Sequence, residues 1–120
     1  MRIVAVIDDQ GHALKQLIYA FPDINKDDIA FIHFSSMKAF LESEIKKPFM
    51  ILLDFFLSID KQYGADFINE IECDYLICFS SKKEMSDYMA RKTEESKTRK
   101  IKHVASIQKN KEILENIELR

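Results

Sequence analysis

Five short apolar runs alternate with segments of helical period along this chain. The first run covers residues 2–7. Leu14, Leu17, Ile18 and Phe21 follow at the i, i+3, i+4, i+7 spacing of one helix face, and Phe21-Pro22-Asp23 ends that helix. The second run is Ile29 to Phe34. Ser35 or Ser36 then caps a helix by accepting a backbone N–H, and Met37, Phe40, Leu41 and Ile45 make its buried stripe. The third run, Phe49 to Leu53, closes on Asp54. Residues 55–63 read as a long loop, and Gly64 opens a third helix with Phe67, Ile68 and Ile71 inward. The fourth run, Tyr75 to Phe79, ends at Ser80-Ser81. Met85, Tyr88 and Met89 mark a narrow fourth helix, with Tyr88 partly exposed. From Ala90 to Lys102 almost nothing is apolar, so that stretch reads as solvated and mobile. His103 to Gln108 is the expected fifth strand, and Ile113, Leu114 and Ile117 form a short last helix.

Continuous apolar strands alternating with helices imply a parallel sheet covered on both faces, with right-handed crossovers. At 120 residues the chain is expected to be one domain, 1–120. Apolar residues are 47% and charged residues 32%, an ordinary globular balance, and no run approaches a membrane span. A formal charge of −2 offers no bulk attraction to nucleic acid or membrane. The chain opens directly into a strand, so Met1-Arg2-Ile3 does not read as a signal peptide. Cys73 and Cys78 have no His or Cys partners at zinc spacing, and a reduced cytoplasmic setting is expected.

The chemistry lies at the strand ends. Asp8-Asp9 close the first run and Asp54 closes the third. In an open parallel sheet, ligands bind outside the carboxyl ends of the strands, where strand order reverses. If strands one and three are neighbours, the three acids converge and repel one another until something positive joins them. Mg²⁺ takes oxygen ligands and needs only one or two carboxylates, so Asp8 and Asp9 can hold the metal while Asp54 acts as nucleophile toward phosphorus. Ser80 at the end of strand four can donate to a phosphoryl oxygen, and Lys109 at the end of strand five can neutralise another.

That ordered set resembles the receiver domain of two-component response regulators, along the whole chain. The matching stretches are Ile7-Asp8-Asp9, Leu52-Leu53-Asp54, Gly64, Phe79-Ser80-Ser81 and Gln108-Lys109. The resemblance implies a flavodoxin-like three-layer α/β/α sandwich, with a five-stranded parallel sheet in the order 2-1-3-4-5 and five helices. It implies that Asp54 is the phosphoacceptor, and that Asp8, Asp9 and Asp54 bind Mg²⁺ with the backbone carbonyl of Phe56. Ser80 would follow the phosphoryl group and Lys109 would pair with it. It further implies a histidine kinase or histidine phosphotransfer protein as donor, and a downstream protein as target. The chain would be no enzyme beyond its own phosphorylation and dephosphorylation.

The chain departs from the family pattern at several points. Asn110 stands where proline usually follows the lysine, Ser58 where proline often follows the phosphoacceptor, and Ser106 at the position of the aromatic switch residue. The loop from Asp54 to Gly64 is about two residues longer than usual. Phe56 and Lys82 occupy the positions that tune phosphoryl lifetime, and the ring of Phe56 is expected to exclude water and slow self-dephosphorylation.

Each residue also has a plainer reading. Asp8-Asp9 alone would be a turn and helix cap, Ser80 a loop serine competing with Ser81, and Lys109 a surface charge. His12 reads as a helix start rather than a ligand, and His33 as a hydrogen-bonded core or edge histidine. The basic stretch from Arg91 to Lys102 is interrupted by Glu94 and Glu95 and reads as a solvated face. The joint order along the chain favours the site. Three functions compete: a stand-alone receiver signalling by protein contact, a degenerate receiver serving as a phosphorylation-independent interaction module, and an aspartyl phosphohydrolase. The last normally carries a second acid two residues after the nucleophile, where this chain has Phe56.

Overall fold

The computed structural model describes residues 2–8, 28–57, 61–80, 82–96 and 100–108. Within them, β1 (Arg2–Ile7), β2 (Ile29–Phe34), β3 (Met50–Asp54), β6 (Glu72–Ser80) and β7 (Lys100–Gln108) form one five-stranded sheet. Every pairing in it is parallel, in the order β2-β1-β3-β6-β7. This is the expected 2-1-3-4-5 arrangement of an α/β domain. Order reverses on either side of β1, so the carboxyl ends of β1 and β3 flank a topological switch point.

Alternation along the strands sorts their side chains onto two faces. Ala5, Ile7, Ile51, Leu53, Leu76 and Cys78 line one face, packed with Met37, Phe40, Ile68, Ile71 and Met89. Val4, Val6, Leu52, Ile77 and Phe79 line the other, with Ile29, Phe31 and Met50 beside them. Both sets are buried, which is why the strands read as unbroken apolar runs rather than as alternating ones.

Between strands lie α1 (Met37–Glu42), a 3-10 helix (Gly64–Glu70) and α2 (Lys83–Glu95). Ser36 caps α1, its Oγ accepting the Ala39 N–H at 3.1 Å. The helix ends at Glu42, so Ile45 packs from beyond it. The third helical segment is 3-10; it buries Ile68, and Ile71 is buried just past its end. The expected first and last helices lie outside the described residues.

Three expectations need correction. Residues 55–63 are not simply a loop: β4 (Phe56–Leu57) and β5 (Gln62–Tyr63) pair antiparallel as a small hairpin. The stretch after Ala90 is ordered further than its polarity suggests. α2 runs to Glu95 with Met89 and Thr93 fully buried, and the Thr93 hydroxyl donates to the Met89 carbonyl. β7 begins at Lys100 rather than His103: Lys100 and Ile101 pair with Glu72 and Cys73 on β6, Ile101 is buried, and Lys100 and Lys102 reach Glu72 and Asp74.

Candidate functional site at the carboxyl edge of the sheet

β1 and β3 run in register to the pair Ile7–Leu53, and the next residue on each strand is an aspartate. Parallel neighbours sit about 4.8 Å apart, so Asp8 and Asp54 are placed side by side at the switch point. By alternation both lie on the side of Val6 and Leu52. Both are buried: Asp8 has no exposed surface and Asp54 has 8%.

The backbone at each acid is pinned. Asp8 gives its N–H to the Phe34 carbonyl at 3.1 Å, and its own carbonyl accepts from Nε2 of His33. His33 is exposed on edge strand β2, and its ring takes the place of a ladder N–H just past the end of the β1–β2 pairing. Asp54 Oδ1 accepts the N–H of Phe55 at 2.8 Å, and the same N–H reaches the Phe79 carbonyl at 2.9 Å. Below Asp54 the chain returns through Gly64, whose N–H donates to the Phe55 carbonyl at 2.8 Å.

Ser80 ends β6 and is 6% exposed. It lies on the Cys78 side of the sheet, opposite the acid pair, and its Oγ accepts the Lys82 N–H at 3.2 Å. Ser80 pairs with Gln108, the last residue of β7. Asp9, Ser81, Lys109 and Asn110 lie outside the described residues, as does His12. Phe56 opens β4 opposite Tyr63.

Among the described residues no group of three or more His, Cys, Asp or Glu gathers as a metal cluster. Asp8 and Asp54 are the part of the expected acidic set that is described. Two buried carboxylates at adjacent strand ends supply hard oxygen donors, and Mg²⁺ needs no more than that from protein side chains. The donor chemistry therefore fits a hard divalent cation.

A cavity of about 480 Å³ lies at the opposite end of the sheet, lined by Lys47, Pro48, Glu72, Cys73, Asp74, Lys100, Ile101 and Lys102. Its charges largely satisfy one another, with Lys47 and Lys100 on Glu72 and Lys102 on Asp74. It holds none of the strand-end residues.

Sequence reading missed two features here. One is the partner of His33: a hydrogen-bonded edge histidine is expected and found, but its bond to Asp8 is not foreseen. The other is a polar group joining α2 to β7 around Ser106, for which the i, i+4 spacing of Lys83 and Asp87 is the one local signal. No helix among the described residues is long and apolar enough to cross a membrane. Comparison of the chain with protein-family models, with curated proteins and with solved structures gave no match in any of the three.

Proposed function

We propose that this chain is a stand-alone receiver domain of the response-regulator family, with a flavodoxin-like three-layer α/β/α build and five helices. Asp54 accepts a phosphoryl group from a histidine kinase or histidine phosphotransfer protein, and the chain then signals to a downstream protein by contact. The single observation that carries this reading is the juxtaposition of buried Asp8 and Asp54 at the switch point.

In the proposed reaction an Asp54 carboxylate oxygen attacks the phosphorus of a phosphohistidine. The new P–O bond forms as the P–N bond breaks, and the imidazole leaves with the electron pair. Asp8, Asp9, Asp54 and the Phe56 carbonyl would hold Mg²⁺, which when bound draws charge from the transferring group. The N–H of Phe55 orients the Asp54 carboxylate through Oδ1. Burial keeps bulk water from the acid pair. Ser80 and Lys109 serve the phosphoryl oxygens as donors.

A second reading has its own observation. Ser106 stands where the resembled family has an aromatic switch, and it is tied to α2 by hydrogen bonds. A degenerate receiver, acting as an interaction module without phosphorylation, would look the same there.

The test is incubation with Mg²⁺ and acetyl phosphate or beryllium fluoride, followed by amide shifts and intact mass, with Asp54→Asn as control. Asp54-dependent uptake supports the receiver. No binding supports the degenerate module, and continuous phosphate release at enzyme rates supports a phosphohydrolase.

A further inference from the structure

Four polar side chains meet where the first turns of α2 lie against β7. Ser106 Oγ is 2.6 Å from Asp87 Oδ1, 2.8 Å from Ser86 Oγ and 3.0 Å from Lys83 Nζ. Lys83 also donates to Asp87 Oδ1 at 2.7 Å and to the Ser106 carbonyl at 3.3 Å. The hydrogens can be assigned. A carboxylate only accepts and an ammonium only donates, so the Ser106 hydroxyl donates to Asp87, with Ser86 Oγ as its second acceptor, while its oxygen receives Lys83.

An exposed i, i+4 pair such as Lys83–Asp87 holds little by itself. Here Ser106 ties that pair to the strand and brings it against Ser86, which is fully buried and whose hydroxyl donates to the Lys83 carbonyl at 3.0 Å. The group bolts the start of the helix to β7.

The same helix start controls a second contact. The Lys82 carbonyl accepts from Met85 N at 3.0 Å and from Ser86 N at 3.4 Å, while the Lys82 N–H donates to Ser80 Oγ. The backbone of Lys82 is thus gripped by the bolted turn on one side and by Ser80 on the other.

We infer that Asp87 and Ser106 are positioning residues for the Ser80 hydroxyl, acting through Lys83 and the backbone of Lys82. This rests on the proposed reading of Ser80 as a phosphoryl-binding group. The bolt holds Ser80 Oγ on the Cys78 side of the strand edge until a phosphoryl group on Asp54 competes for it. Coupling is reciprocal, so drawing Ser80 away from Lys82 loosens the bolt, and cutting the bolt frees Ser80. A polar lock of this kind links the site to the α2–β7 surface without an aromatic rotamer.

The experiment uses the full chain with Ser106→Ala, Ser106→Thr and Asp87→Asn. The amide resonance of Lys82 is read without ligand, and beryllium fluoride is then titrated in the presence of Mg²⁺. Ser106→Ala and Asp87→Asn are expected to shift the Lys82 amide and to change beryllium fluoride affinity several-fold, with affinity for Mg²⁺ alone unchanged. Ser106→Thr, which keeps the hydroxyl, is expected to restore both. An unmoved Lys82 amide in folded Ser106→Ala or Asp87→Asn overturns the inference, and so does failure of threonine to restore it. Asp87 is half exposed, so its variant reports even if Ser106→Ala fails to fold. If the wild type does not bind beryllium fluoride, the receiver reading fails, and the Lys82 amide still decides whether the bolt positions Ser80.

Discussion

Gly64 approaches the backbone carbonyl of Asp54 so closely that a Cβ at residue 64 would overlap that oxygen. The same Cβ would lie 3.0 Å from Leu53 Cγ and 3.1 Å from Met89 Sδ. The obstacle on one side is backbone, which cannot swing aside as a side chain can. Gly64→Ala should therefore destabilise the fold by about 1–3 kcal/mol, the usual range for overpacking. Denaturant unfolding should show a lower midpoint at unchanged slope, and a wild-type midpoint would remove the steric argument.

Asp87 titrates below the ordinary aspartate range. The hydrogen bond from Lys83 contributes most, then that from Ser106; desolvation opposes them, and Coulombic attraction from Lys83 and Arg91 adds less. Its folded pKa is depressed, so its stabilisation is present above the unfolded value of about 3.9 and is lost as pH falls through the folded one. The Asp87 side-chain carbon signal should titrate below about pH 3.9 and move up toward that value in Ser106→Ala. A wild-type midpoint at or above the unfolded value would contradict the hydrogen bonding described.

Cys73 and Cys78 are both buried and unpaired with each other. Burial, with Asp74 and Glu72 adding to it, raises the Cys73 thiol from 9.0 to about 12. Burial raises Cys78 from 9.0 to about 12 as well, with the neighbouring Thr93 hydroxyl acting the other way and Cys73 adding to the rise. Neither thiol should react with a disulfide reagent at pH 8 in the native protein, and both should react once denatured. The raised values also fix the sign at alkaline pH. Their contribution to stability is fully present below about pH 9 and falls away as pH rises toward about 12.

His33 donates from Nε2 to the Asp8 carbonyl, so nitrogen NMR of neutral imidazole should find the proton on Nε2. Removing the donor in His33→Ala should cost about 0.5–1.5 kcal/mol of stability. It should also shift the resonances of Asp8, and a ring found with its proton on Nδ1 would rule the bond out.

The sheet was readable because its inner strands are buried on both faces. Val4 to Ile7, Ile51 to Leu53 and Leu76 to Phe79 are apolar without alternation and end in Asp8, Asp54 and Ser80. β7 extends beyond its apolar run because buried Ile101 stands between Lys100 and Lys102, and one apolar residue flanked by charges makes no run to read. The hairpin β4–β5 escaped because two-residue strands carry no period. α2 was read too short for a similar reason. Its last turn is held by the Thr93 hydroxyl, and the Ser96 hydroxyl just beyond it donates to Asn69 Oδ1 at 2.6 Å. Within the site, the acids and Ser80 announce themselves locally. His33 and Ser106 matter through partners 25 and 20 residues away, which only the fold brings near.

The bond between the Gly64 N–H and the Phe55 carbonyl closes the excursion after Asp54 at its base, and β4–β5 then stands as a separate ladder above it. The Tyr63 ring packs on Phe55 with 5.1 Å between centroids, so this ladder is coupled to the residue after Asp54, and a fluorophore carried at half-exposed Tyr63 would read events at the acid pair from outside the sheet.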